Sequence, residues 1–175
     1  MALDLLDQIL PHVRSHIYSS VVPVSDWKIK VGDIPGAHLP SFNDNSWTVI
    51  QPPQAQWGAY DKTFWFRAQV SMPPQFAGKP VVLLVDMPEA LVYLNGSPYQ
   101  GVDGNHRGVL ISEKARAHQK YFIAIQAYSG RKKEPNTFTR ADLAVVNSIA
   151  RSLHGGLTLL KELEKLYCPG TQESK

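Results

Sequence analysis

From Pro23 to about Tyr128 the apolar residues come in short runs, many of them alternating, and Gly, Pro, Asn and Asp separate the runs. A period of two suits a strand, because successive strand side chains point to opposite faces of a sheet. Residues 27–31, 47–50, 63–72, 80–87, 90–95, 108–112 and 120–128 are read as strands on this basis. In the third, Phe64, Phe66, Ala68 and Val70 point one way, and Trp65, Arg67, Gln69 and Ser71 the other. The runs Val81-Val82-Leu83-Leu84-Val85 and Tyr121-Phe122-Ile123-Ala124-Ile125 are apolar on both faces, as central strands of two packed sheets are. Asn95-Gly96 signals a turn, since both residues tolerate positive φ. No helix-length pattern lies between the strands, which favours a mainly β fold, a β-sandwich or jelly roll, over a parallel α/β sheet.

Helical periodicity flanks this region. Leu3, Leu6, Ile9, Leu10, Val13 and Ile17 follow at three- and four-residue steps, and Pro11 is expected to kink the helix or to start a second short one. From Thr139 a Thr-x-x-Asp box ending at Asp142 precedes Leu143, Val146, Ile149, Leu153, Leu157, Leu160 and Leu163. The spacing predicts a helix of about 28 residues, some 40 Å long, with Gly155-Gly156 as a place to bend. A small sandwich cannot cover such a stripe, so part of it calls for a partner, either another domain or a second copy. The expected organisation is a helical segment over 1–20, the sandwich over 21–137, a helical linker over 138–167 and a tail over 168–175.

A chain of 175 residues with 43% hydrophobic and 19% charged residues lies far from the composition of disordered chains. Its net charge of +3 includes one dense basic run, Arg131-Lys132-Lys133, which reads as a solvated loop and is too small for a nucleic-acid footprint. Cys168 is the single cysteine, so no internal disulfide is available, as in a reducing compartment. The acidic start Met1-Ala-Leu-Asp-Leu-Leu-Asp lacks the basic region of a signal peptide, and no apolar run is long enough for a membrane span; a cytoplasmic location is expected.

No catalytic constellation can be assembled. Glycoside hydrolysis normally uses two facing carboxyl groups, and other schemes need an activated nucleophile or a metal. His12 and His16 have metal-pair spacing, but no Glu follows His12 as in HExxH; exposed surface histidines are the plainer reading. Cys168, near the chain end, is a poor nucleophile candidate. Asp103, Asn105, His106 and Arg107, with Gly104 among them, place an acid, an amide, an imidazole and a guanidinium in one loop, groups that suit sugar hydroxyls. The plainer reading is that they satisfy their own turn. Trp57, Trp65 and Tyr93 have rings that suit stacking on a pyranose, although aromatics in strand patterns are more often core.

The segments Phe42-Asn43-Asp44-Asn45-Ser46-Trp47, Trp57-Gly58, Thr63-Phe64-Trp65-Phe66-Arg67 and Val92-Tyr93-Leu94-Asn95-Gly96 resemble the galactose-binding-like jelly roll in front of many glycosidases. Within them Trp47, Trp65, Arg67, Asn95 and Gly96 are the structural positions of the pattern. Gln100-Gly101-Val102-Asp103-Gly104-Asn105-His106 and the stretch from Thr139 to Leu163 are similar to α-mannosidases of glycoside hydrolase family 38, so the resemblance spans roughly residues 25–167. It implies a non-catalytic front domain with no cofactor of its own. Zinc and the aspartate nucleophile would lie in a following catalytic domain, whose Gly-His-x-His-x-Asp motif this sequence does not contain. The sandwich would pack on that domain, and Asp103, Asn105, His106 and Arg107 would edge the sugar site. Asn147 departs from the pattern, where an acidic residue is expected. The competing readings are a free-standing carbohydrate-binding module for mannose-containing carbohydrate and a small self-sufficient enzyme.

Overall fold

In the computed structural model, which describes residues 2–53 and 55–167, the strand expected to have the clearest core face lies near the middle of a six-stranded sheet. The described elements are α1 (Ala2–Ser15), β1 (Tyr18–Pro23), β2 (Trp27–Val31), β3 (Thr48–Ile50), β4 (Ala55–Trp57), β5 (Thr63–Ser71), β6 (Val81–Val85), β7 (Glu89–Leu94), β8 (Ser97–Asp103), β9 (Gly108–Ser112), β10 (Lys120–Tyr128), β11 (Asn136–Phe138), β12 (Ala141–Val146) and α2 (Ser148–Tyr167). The large sheet runs β3-β2-β5-β10-β7-β8, a second runs β1-β12-β6-β9, and β11 and β4 form a short ribbon. β5 and β10 pair antiparallel along their whole length, from Thr63↔Tyr128 to Ser71↔Lys120.

Alternation along these strands places the core as the sequence pattern requires. Phe64, Phe66, Ala68 and Val70 of β5 and Ile123 and Ile125 of β10 pack with Leu83 and Val85 of β6 and with Leu143 and Val145 of β12. Burying each large apolar side chain contributes roughly 1.5–3 kcal/mol. Trp27 is fully buried, donates its indole N–H to the Val24 carbonyl at 3.0 Å and meets Phe138 edge-on at 5.5 Å.

All seven expected strands are present, and five more strands carry weaker signals. β4 and β11 span three residues each. β8 is largely polar and holds Pro98, which a sheet edge accepts. β1 begins at Tyr18, inside the segment read as helical.

The larger correction concerns the helix expected from Thr139. Residues 141–146 form β12, paired with β6 from Ala141↔Val85 to Val145↔Val81. The three- and four-residue stripe there competes with a period-two one, Ala141, Leu143 and Val145, and burial against the facing sheet decides for the strand. Thr139 caps nothing; its hydroxyl donates to Asp86 at 2.5 Å, and Asp142 accepts from Arg140. The helix starts instead after Asn147, whose side-chain oxygen accepts the Ala150 N–H at 3.1 Å, as an N-cap does. The residue that departs from the family pattern is therefore the cap. α2 has 20 residues and continues through Gly155-Gly156, and α1 continues through Pro11.

Contacts divide the chain into the sandwich, residues 20–145, and a second unit that contains α1 and α2. Within the latter, Lys161 pairs with Asp7, and the Asn147 N–H donates to the Ile17 carbonyl at 2.8 Å, so the helices run antiparallel. Among the described residues no helix is long and apolar enough to cross a membrane.

The cap yields a prediction. Asn147→Ala should destabilise α2 by ~1 kcal/mol, whereas Asn147→Asp, which keeps an acceptor, should leave stability within ~0.5 kcal/mol of the parent. Urea titrations followed by far-UV circular dichroism will separate the two variants.

Candidate functional site

The outer face of the large sheet, turned away from the main core, has one sealed half and one open half. Arg67 makes the seal. It projects outward from β5, yet its side chain is only 2% exposed. Its Nε donates to Asp44 at 2.8 Å, Nη1 donates to the Ala37 carbonyl and, at 3.1 Å, to that of Leu39, and Nη2 donates to the Phe42 carbonyl at 3.1 Å. The guanidinium carbon lies 4.5 Å from the Phe122 ring centroid and 5.2 Å from that of Phe42. Three carbonyls and one carboxylate of an irregular loop thus converge on one cation.

Asp44 completes the cluster by accepting Lys28 Nζ at 2.5 Å. Burial pushes its carboxyl pKa up, but the hydrogen bonds and charges of Lys28 and Arg67 outweigh this and hold it below the ordinary value. The loop covers a second small core of Ala37, Trp47, Trp65 and Ala124. His38 stacks on Tyr93 at 5.1 Å. Asn95 and Gly96 turn the chain between β7 and β8 with φ of 52° and 89°, and a Cβ at Gly96 would come within 2.9 Å of Pro40. The five structural positions of the family pattern therefore lie in or against this seal.

The expected sugar-edge residues do meet in one loop, at the end of β8. Asp103 Oδ1 accepts the backbone N–H groups of Asn105 and His106, both at 2.7 Å, and lies 3.1 Å from His106 Nδ1. The His106 and Asn105 amides and the His106 ring together hold the Asp103 carboxyl below its ordinary pKa. Arg107 Nε donates to the Gly104 carbonyl at 2.8 Å, and its Nη1 faces Asp86 at 3.3 Å. Much of the polar capacity is thus used within the turn, while the outer edges of the side chains face solvent: His106 is 73% exposed.

The other candidates are placed elsewhere. Trp57 and Trp65 are buried, so neither offers an open stacking face. Their indole N–H groups find no acceptor. Tyr93 is half-buried under His38 and donates its hydroxyl to Gln126 at 3.2 Å. His12 and His16 are exposed, their rings 4.7 Å apart, with His16 Nδ1 bonded to the His12 carbonyl at 2.8 Å. Among the described residues no three His, Cys, Asp or Glu gather to hold a metal. Arg131 of the basic run faces Asp61 at 3.5 Å. Cys168 lies outside the described residues.

A family model described as alpha-mannosidase, jelly roll domain, matches residues 22–137. No curated protein matches the chain. Among solved structures, a calcium-binding mutant of Bacteroides uniformis β-glucuronidase 2 aligns with a TM-score of 0.56 and 19% identity, over 72% of this chain and 18% of that one. A glycosyl hydrolase family 2 member from Bacteroides cellulosilyticus aligns at 0.55 and 15%, over 73% and 20%. A β-glucuronidase from Ruminococcus gnavus in complex with C6-substituted uronic isofagomine aligns at 0.54 and 16%, over 74% and 29%. At these identities the likeness is one of fold, and the chain spans less than a third of each of those proteins.

The seal gives a second prediction. Arg67→Met should destabilise the sandwich by ~3–5 kcal/mol, because it leaves Asp44 partly buried with one of its two cations gone and strips the loop carbonyls of donors. Since the Asp44 pKa is depressed in the folded state, its contribution is present above the unfolded value of ~3.9 and is lost as the pH falls through the lower folded value. Acid titration of Asp44→Asn should show a weaker fall of stability across that window than the parent, from a lower starting stability at neutral pH.

Proposed function

This chain belongs to the α-mannosidase jelly-roll domain family, and on that premise we propose that it serves as the non-catalytic front domain of a family 38 glycosidase acting on α-mannosides. The family match over residues 22–137, which includes the 103–107 loop, carries this reading. In the reading, the sandwich supports a catalytic domain elsewhere in the longer protein and lends that loop to the rim of its sugar site. α2 leaves Leu153, Leu160 and Leu166 largely exposed, an apolar stripe that favours a packing partner. The zinc that such an enzyme uses would be held by that catalytic domain.

The loop is suited to positioning a sugar. The lowered pKa keeps Asp103 ionised, as an acceptor for hydroxyl groups, and the turn fixes the His106 ring beside it. Asp86 ties the loop to the body of the sandwich by accepting from both Arg107 and Thr139. A single cysteine, which leaves no internal disulfide, agrees with work in the cytoplasm.

The test is a double substitution, Asp103→Ala with His106→Ala, in the full-length enzyme. Loss of one or two hydrogen bonds to substrate should lower kcat/KM on a chromogenic α-mannoside by about tenfold. The melting temperature should fall modestly, because Asp103 also accepts the Asn105 and His106 amides of the turn, and kcat/KM is therefore compared at a temperature where both proteins are fully folded. Unchanged kcat/KM would remove the loop from the rim.

A further inference from the structure

The open half of the outer sheet face holds a groove of about 200 Å³ at the ends of β5, β7 and β10. The register explains its composition. Gln126 of β10 stands between Trp65 of β5 and Leu91 of β7, and Leu91 in turn stands opposite Gly101 of β8. Because Gly101 carries no side chain, the edge strand leaves Leu91 uncovered on that side. Two residues along, Thr63 pairs with Tyr128 and Glu89 pairs with Asp103. Residues opposite each other in a sheet share a face, so this polar row leads across the sheet towards the 103–107 loop.

These side chains form a floor and walls. Leu91 supplies the apolar surface, while the side chains of Ala90 and Ala127 turn into the main core. The Tyr128 ring forms one wall, held by the bond from its hydroxyl to Asp61 Oδ1 at 2.5 Å, and Arg131 Nε lies 3.5 Å from the same oxygen. Gln126 accepts from Tyr93 through Oε1, which points its amide assignment: the NH₂ group remains to donate. Among the described residues the Thr63 hydroxyl and the Glu89 carboxylate have no hydrogen-bond or ion-pair partner.

We infer that this groove is a binding subsite for one neutral hexopyranose residue of a glycan, with Leu91 beneath the ring, Gln126 and Thr63 donating to its hydroxyls and Glu89 accepting from them. The chemistry disfavours anionic ligands. The Glu89 carboxylate repels uronates and phosphates, and the Arg131 guanidinium beside Tyr128 is paired with Asp61. The volume is below the 300–1,000 Å³ of pockets for larger organic ligands and suits a single ring. That the hexose is mannose rests on the function proposed above; the subsite itself does not.

The test is an NMR titration of the 175-residue chain with methyl α-D-mannopyranoside, and with methyl β-D-glucuronide as the anionic control. The mannoside should shift the Gln126 side-chain amide and the Leu91 methyl signals saturably, with Kd on the order of 1 mM, as a shallow one-ring site allows. The glucuronide should bind at least about tenfold more weakly. Glu89→Ala, at an exposed position that spares the fold, should weaken the mannoside about tenfold, and Gln126→Ala should do the same. Absence of saturable shifts at high millimolar sugar overturns the inference, as do shifts of equal size in both variants. Saturable binding of the mannoside together with unchanged turnover in the Asp103/His106 double variant supports the subsite while removing the rim role, so the two ideas fail separately.

Discussion

A guanidinium taken out of water is costly unless every donor finds a partner, and the outer face of the large sheet is organised around meeting that demand for Arg67. The side chain comes from β5, one of the central strands, so no nearby strand end or edge can supply acceptors. They come instead from the 33–47 segment, which gives up three backbone carbonyls and the Asp44 carboxylate. Those carbonyls belong to a loop without ladder partners, so the cation and the loop each satisfy what the other would leave exposed. Aromatic rings of Phe42, Trp47 and Phe122 close over the cluster. A loop that is irregular in its backbone is in this way tied to the sheet at four points.

The seal also has a fit requirement at its far side. Pro40 rests on the turn between β7 and β8, and the approach is close enough that only a residue without Cβ can occupy position 96. Gly96 therefore answers two needs at once, a positive φ for the turn and clearance for the loop. The turn signal in Asn95-Gly96 is legible from sequence, because it depends on local conformation alone. The clearance is not, because it depends on a segment more than fifty residues earlier in the chain.

The same distinction between local and distant causes divides what the sequence reveals elsewhere. β5, β6 and β10 are legible because each carries its burial in its own pattern of alternation. Arg67 and Trp65 are assigned correctly to the face opposite the main core, but alternation alone marks that face as solvent-facing, and the covering loop changes its meaning. Trp65 thereby becomes a core residue rather than a platform for sugar. β12 shows the reverse failure: a stripe with helical spacing and a plausible cap is overridden by pairing with β6, a partner more than fifty residues away. The 103–107 loop was legible as a cluster, and its bonding within the turn follows from the short side chain of Asp103, as for many Asx turns.

Why one half of the face stays open then has a physical answer. The loop reaches only as far as its carbonyls can serve Arg67 and its prolyl ring can rest on Gly96, which places its cover over Trp65, Tyr93, Phe122 and Ala124. Beyond Gln126 no side chain of the loop is anchored, and the positions there change from aromatic and small to polar: Thr63, Glu89, Gln126 and Tyr128. The hydroxyl of Tyr93 joins the two halves through its bond to Gln126, so an element of the sealed side fixes the orientation of a donor on the open side. A patch with its donor already oriented loses little conformational freedom on meeting a ligand, which is the condition under which a shallow polar groove can bind at all.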